Sequence, residues 1–369
     1  MNAVTFLVKP ASGLCNMRCR YCFYHDLTQL RQEPGAGIMT QDTAEALIRS
    51  GLAAAGPGGF VQFTFQGGEP TLTGLEFFKS FLALEKKHRL PGQRISHALQ
   101  TNGLALDSAW VRFLRENQFL VGLSIDGNAA IHDSYRIDAA GKGTWQRVTQ
   151  ALAQLDQAGV ETNLLCVVTS TVAKNPGKVY AGLKALGSHP LQFIPCLDPM
   201  EAARGAEPYS LKPEPYGTFL CKLFDLWFQD WMQGRYVSIR LFDDYLRLLW
   251  GMAPSSCAAS GACGSYLVVE SDGSLYPCDF YVLDAWKLGN IHSISAQEAL
   301  ASPLSQEFLA QRQPLPGACR DCPYIQVCRG GCKRDWTAQR ENYYCPAFRR
   351  FFAYALPRLQ QIAASTPRP

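Results

Sequence analysis

Apolar and polar positions follow two rhythms along this chain. Short runs rich in Val, Ile, Leu and Phe fall at 4–9, 60–65, 95–100, 119–125, 163–169 and 191–196, with the length and make-up of buried strands. Each is followed by a longer stretch with apolar residues every three to four positions, at 40–55, 74–88, 108–117, 144–158, 174–186 and 213–231, which predicts helices. Six β-then-α units predict a parallel α/β sheet, because parallel neighbours need a crossover between them. Strands apolar on both faces suit a sheet covered by its own helices, and right-handed crossovers curl six of them into a partial (β/α)6 barrel. In such folds the chemistry gathers at the C-terminal ends of the strands. That rule selects the loops at 10–22, 66–70, 100–103 and 124–136.

After about residue 235 the rhythm changes. An apolar helix-like stretch at 237–250 leads into a cysteine-rich region, and the chain closes with an amphipathic stretch at 346–364. Runs at 266–270 and 275–278 flank Ser271, Asp272, Gly273 and Ser274, which reads as a β-hairpin with Asp-Gly in its turn. The expected organisation is therefore a barrel domain over 1–234 and a second, cysteine-rich domain over 235–369, with 365–369 frayed.

Composition narrows the function. The chain has 369 residues, 47% of them hydrophobic, and Lys+Arg of 35 against Asp+Glu of 31 gives a net charge of +4. That balance excludes a polyanion-binding surface as the main feature, so no nucleic acid is expected as partner. No run of 18 apolar residues and no leader-like start are seen, so the expectation is a soluble cytoplasmic protein without a membrane partner. Fourteen cysteines in that compartment would stay reduced, which makes metal binding a better use for them than disulfides. Three lie within eight residues near the N-terminus and eight lie between Cys257 and Cys345, whereas Cys166, Cys196 and Cys221 stand in apolar surroundings and read as core.

Cys15, Cys19 and Cys22 have three and then two residues between them, on a loop just past the first strand. Three thiolates on a four-iron cluster leave one iron open to a ligand. The alternative is a zinc knot with His25 as fourth ligand. The spacing, with an aromatic residue before the last cysteine, resembles the signature of the radical S-adenosylmethionine superfamily. The resemblance implies that the open iron binds the amino and carboxylate groups of S-adenosylmethionine, whose reductive cleavage gives a 5'-deoxyadenosyl radical.

Other loops fit that reading. Gly67, Gly68, Glu69 and Pro70 follow the second strand, and paired glycines allow close backbone approach to a ligand; they resemble the superfamily's motif for the methionine amino group. Ser124 ends the fourth strand and Arg136 follows. A hydroxyl and a guanidinium fork suit a carboxylate, and by resemblance both are assigned to that of the methionine. Tyr21 is expected at the adenine and Leu197 in the lining of its pocket.

The later cysteines fall at 257, 263, 278, 319, 322, 328, 332 and 345. Eight thiolates complete two four-ligand sites, and spacing alone leaves two zinc sites open as an alternative. The run resembles the SPASM extension of peptide-modifying radical enzymes, which implies two more 4Fe-4S clusters, three in all. By that resemblance Cys257, Cys263, Cys278 and Cys332 hold the first auxiliary cluster, and Cys319, Cys322, Cys328 and Cys345 the second. The segment between Cys332 and Cys345 is short, but the ligand count survives.

Asp279, beside Cys278, is a candidate proton acceptor, although an aspartate there also reads as a salt-bridged or surface residue. Strings at 9–12, 22–25, 65–71, 99–103, 164–170 and 276–283 together resemble the anaerobic sulfatase-maturating enzymes over nearly the whole chain. The resemblance implies oxidation of a sulfatase cysteine or serine to formylglycine, with Asp279 taking the thiol or hydroxyl proton and Tyr24 positioning substrate. It also implies an unfolded or nascent sulfatase polypeptide as substrate and a reductant such as flavodoxin or ferredoxin. The rivals are another SPASM-type enzyme that crosslinks peptides and a zinc-binding scaffold.

Overall fold

A computed structural model describes residues 3–32, 37–264 and 266–366. The chain divides into two compact units: Met1–Ser124 with Arg136–Thr162 and Gly264–Gln311, and Ile125–Tyr135 with Asn163–Cys263 and Arg312–Pro369.

In the first unit, β1 (Ala3–Val8), β2 (Phe60–Phe65), β3 (Arg94–Thr101) and β4 (Leu120–Ser124) run parallel in sequence order. The predicted hairpin forms from β7 (Leu267–Val269) and β8 (Ser274–Tyr276), and a short β9 (Gly289–Asn290) follows. β7 lies parallel to β1, with Leu7 opposite Val268, so the hairpin extends the same sheet. Phe6, Phe63, Phe65, Phe78 and Phe81 are essentially fully buried under helices Gln41–Ala55 and Leu75–His88. Each such side chain contributes on the order of 1.5–3 kcal/mol. Phe6 stacks on Phe63 at 5.6 Å and Phe65 meets Phe78 at 4.8 Å. This core holds the C-terminal ends of β1 to β3 in register, where the first candidate loops begin.

The second unit contains β5 (Thr162–Val168) paired in parallel with β6 (Leu191–Pro195). Helices Pro213–Met232, Arg240–Leu249 and Cys345–Ser365 pack through Phe224, Phe242 and Phe351, with ring centroids 5.5 to 5.9 Å apart.

Three local expectations change. The helix predicted at 174–186 is two, Ser170–Lys174 and Pro176–Lys184, because Pro176 lacks an N–H and restricts the residue before it. Cys221 is half-buried rather than core, whereas Cys166 and Cys196 are buried as expected. The terminal helix runs through Ser365, so fraying does not begin there; residues 367–369 lie outside the described residues.

Candidate active site and cluster loops

The loop after β1 is fixed by its own backbone and by the loops after β2 and β3. Glu69 N–H donates to the Leu14 carbonyl at 2.7 Å. Gly68 makes that approach possible: it has φ of +51°, and a Cβ there would sit 2.2 Å from the Leu14 carbonyl oxygen. Behind it, the buried Glu69 carboxylate accepts from Thr71 N–H (3.1 Å), Thr71 Oγ1 (2.6 Å), Thr101 Oγ1 (2.7 Å) and Asn102 N–H (2.7 Å). Burial raises this carboxyl above its ordinary range, and those donors pull the other way. The Asn102 amide also donates to Asn16 Oδ1 at 2.8 Å and lies 3.7 Å from Cys15 Sγ, which Met17 N–H approaches at 3.4 Å. N–H donors aimed at sulfur suit a ligating thiolate.

Cys15, Cys19 and Cys22 are all half-buried on this loop, and Cys22 leads into helix Phe23–Gln29. Burial pushes the Cys15 thiol up to about 11, with Glu69 and Cys22 adding to it. A thiolate here therefore needs a cation to sustain it, as an iron centre would. His25, the fourth ligand of the zinc alternative, is exposed on the same helix and contacts Gln29 at 3.4 Å. Tyr21 is buried, with the Arg136 guanidinium 5.4 Å over its ring, and Arg136 is itself buried. Ser124 is half-buried at the end of β4. Leu197, in the second unit, is half-buried two residues past β6.

Asp279 is 2% exposed, so it is no surface residue. Its Oδ2 accepts from Tyr24 Oη at 2.6 Å and from Gln66 Nε2 at 3.0 Å, and Gln66 also donates to Tyr24 Oη at 2.7 Å. Its Oδ1 has no hydrogen-bond donor and lies 3.7 Å from Lys9 Nζ. Lys9 Nζ also pairs with Glu270 at 3.1 Å, and Arg31 pairs with the same Glu270 oxygen at 2.9 Å. Burial raises the Asp279 carboxyl; Lys9, Tyr24 and Gln66 oppose it, while Glu270 adds to it, and the net shift is upward. Burial would raise Glu270 as well, but Lys9 and Arg31 outweigh it and hold that carboxyl below its ordinary range. Burial and then the Asp279 charge keep the Tyr24 hydroxyl protonated far beyond its usual range, so it is a donor to a carboxylate. Lys9, Gln66, Arg31 and Glu270 were not singled out from sequence. The signal available was two opposite charges, Lys9 and Glu270, each one residue past the end of paired strands β1 and β7.

Four of the later cysteines meet within the second unit. Cys319, Cys322, Cys328 and Cys345 line one cavity of about 670 Å³, walled by Tyr324 and Phe352. Burial and the neighbouring thiols raise Cys328 to about 11. Of the other four, Cys257 starts a short helix capped by Ser256. The buried Asp244 carboxylate anchors that turn, accepting from Ser255 N–H at 2.6 Å and from the Ser256 hydroxyl at 2.6 Å. Cys263 follows Gly261, which takes φ of +72°. Cys332 accepts from Arg334 N–H at 3.4 Å. Cys278 belongs to the first unit, after β8, with its sulfur 3.7 Å from the Tyr266 hydroxyl. Among the described residues no group of three or more His, Cys, Asp or Glu gathers round a single-ion position, and no helix is long and apolar enough to cross a membrane.

Comparison with known proteins adds to this geometry. Residues 10–175 match the radical SAM superfamily and 257–323 the SPASM iron-sulfur cluster-binding domain. A cysteine-type anaerobic sulfatase-maturating enzyme of Clostridium perfringens is 44% identical over 98% of this chain and 99% of its own length. The chain belongs to the anaerobic sulfatase-maturating enzymes. A second cysteine-type member, from Clostridium novyi, is 40% identical over 98% of both chains, and a serine-type member from Klebsiella pneumoniae is 34% identical over 97% of this chain and 88% of its own. The solved structure of native anSMEcpe with bound AdoMet and Cp18Cys peptide superposes with a TM-score of 0.93 at 43% identity, covering 98% and 99% of the two chains.

Membership makes this chain a radical S-adenosylmethionine enzyme of the sulfatase-maturating family, with the α/β partial-barrel fold, the SPASM extension and the terminal helix expected from sequence. The family reaction is the oxygen-independent oxidation of a sulfatase cysteine or serine to formylglycine, and its cofactors are S-adenosylmethionine and 4Fe-4S clusters.

Proposed function

We propose that this chain is a cysteine-type sulfatase maturase in which Asp279 is the proton acceptor, Tyr24 and Gln66 orient it, and Lys9 keeps it ionised. The single observation carrying this reading is the half-satisfied Asp279 carboxylate. Oδ2 is held by two donors, and Oδ1 is left without one. A buried acceptor lacking a donor is costly unless something else supplies the proton, and a substrate thiol would do so.

In this reading Cys15, Cys19 and Cys22 hold the radical-generating cluster. The backbone of Gly67, Gly68 and Glu69 receives the methionine amino group, Ser124 and Arg136 its carboxylate, and Tyr21 and Leu197 the adenine. When bound, the cluster and S-adenosylmethionine supply the radical that removes a Cβ hydrogen, and an auxiliary cluster supplies the electron acceptor. The protein's part is to take the thiol proton on Asp279 Oδ1 and to keep the sulfur-bearing carbon in place; the thioaldehyde so formed is converted by water to the formylglycine aldehyde with release of hydrogen sulfide. Tyr24, engaged with Asp279, positions substrate through that carboxylate. Cys257, Cys263, Cys278 and Cys332 hold the first auxiliary cluster, and Cys319, Cys322, Cys328 and Cys345 the second. The functional division follows 1–234 and 235–369, with the two matched regions, 10–175 and 257–323, on either side.

Preference for cysteine is supported by the relatives, cysteine-type members being 40% to 44% identical and serine-type members 33% to 34%. The substrate is an unfolded or nascent sulfatase segment, and a small reductant such as flavodoxin or ferredoxin provides electrons in the cytoplasm. Anaerobic incubation with S-adenosylmethionine, a reductant and paired peptides carrying Cys or Ser ahead of a Pro/Ala and Arg context tests this by mass spectrometry. Formylglycine forms faster from the cysteine peptide. Faster serine turnover overturns the preference, and no formylglycine from either overturns the substrate.

A further inference from the structure

Arg312 is 2% exposed, and among the described residues no carboxylate lies within ion-pair distance of it. Its guanidinium donates to the Gly331 carbonyl and, at 2.8 Å, to the Arg329 carbonyl, and it lies 5.4 Å over the Trp336 ring. Nε has no acceptor. Backbone carbonyls and an indole face solvate a guanidinium in part, but a full buried charge without a counter-ion remains expensive.

The residues it grips are informative. Arg329 follows Cys328 and Gly331 precedes Cys332, so this one side chain clasps the loop joining a ligand of the second auxiliary site to a ligand of the first. Trp336 Nε1 donates to the Gly330 carbonyl at 2.9 Å and closes the same loop. The clasped loop also touches the turn between Cys257 and Cys263, because Arg329 Nη1 donates to the Ser260 carbonyl at 3.4 Å. Of the segments assigned to the first auxiliary site, the 257–263 turn and Cys332 thus both adjoin the loop that Arg312 clasps.

We propose that Arg312 is the buried counter-charge of the first auxiliary cluster, and that it raises the cluster's reduction potential. Four thiolates make such a cluster anionic, and accepting one electron adds one more negative charge at the same place. A fixed cation in a low-dielectric surround stabilises the reduced form more than the oxidised form. The orphan guanidinium and the anionic cluster thereby resolve each other's burial. This rests on the assignment of Cys257, Cys263, Cys278 and Cys332 as cluster ligands.

The test uses the reconstituted full-length protein with Cys15, Cys19 and Cys22 replaced by Ala, so that only auxiliary signals remain. Iron, sulfide and electron paramagnetic resonance potentiometry are measured for this parent and for its Arg312→Gln and Arg312→Lys forms. Two four-iron clusters in the parent uphold the ligand assignment; fewer would remove that assignment before Arg312 is considered. With two clusters present, Arg312→Gln moves one midpoint potential to a lower value and leaves the other nearly in place, while Arg312→Lys stays near the parent. Loss of one cluster in Arg312→Gln but not in Arg312→Lys equally supports the charge. Unchanged potentials with both clusters intact in Arg312→Gln, or equal damage in both variants, overturns the proposal and leaves Arg312 as a loop clasp.

Discussion

The loop after β1 and the cavity of the second unit both present cysteines, yet they are finished differently. Around Cys15 the donors come from a rigid hydrogen-bonded frame, in which Glu69 ties three loops together and Asn102 reaches toward the sulfur. Close by, charges occur in opposed pairs: Lys9 and Arg31 against Glu270 and Asp279. Around Cys319, Cys322, Cys328 and Cys345 the wall is aromatic and four thiols line one cavity. Three ligands leave a position for chemistry, whereas four close the centre. In the proposed reading, the site that binds a cofactor and moves a proton is framed by hydrogen-bonded polar groups, with Asp279 Oδ1 alone of its two oxygens left without a donor. The second site, proposed to pass only an electron, is walled mainly by aromatic and apolar groups.

The largest expected contrast comes from removing ligands. Cys15→Ala abolishes 5'-deoxyadenosine formation and product together, whereas Cys345→Ala leaves 5'-deoxyadenosine measurable by chromatography while formylglycine is lost. Equal loss of both products in both variants would erase the distinction. Asp279→Asn lowers formylglycine about 10²- to 10⁴-fold, the range of a general base, with 5'-deoxyadenosine still formed.

Tyr24→Phe removes one hydrogen bond to a carboxylate. Such a bond is worth roughly 1.5–3 kcal/mol, so product formation falls about ten- to hundredfold, read from initial rates by mass spectrometry. Gly68→Ala introduces a Cβ against the Leu14 carbonyl at a positive φ and costs about 1–3 kcal/mol, seen as a lower urea midpoint of the reconstituted protein.

The smallest effect is a displacement along the pH axis. Asp279 must be ionised to accept a proton, so activity is lost as pH falls through its raised value. Lys9 favours the ionised form. Lys9→Met therefore moves the acid limb of product formation to higher pH, and a limb that stays in place would show that Lys9 does not control the base.

Much of this molecule was legible in the chain itself. The two rhythms located the strands within about a residue or two, because burial on both faces and helical periodicity are local properties. The cysteine spacings likewise marked the loop after β1 as a candidate for cluster binding. Gly68 was legible as a close backbone approach, although what it approaches, the Leu14 carbonyl, was not.

Tertiary structure decided which distant residues share a site. That Lys9, Tyr24, Gln66, Glu270 and Asp279 form one connected network follows from β7 lying parallel beside β1, a pairing between residues some 260 positions apart. Charges that far apart in sequence carry no local sign of their partner, and an aspartate beside a cysteine reads equally well as surface or site. The same holds for Arg312: in sequence it is one of many arginines, and only its burial without a carboxylate marks it out. Local pattern fixes what each segment becomes, and desolvation, which depends on everything packed around a group, fixes what its charges do.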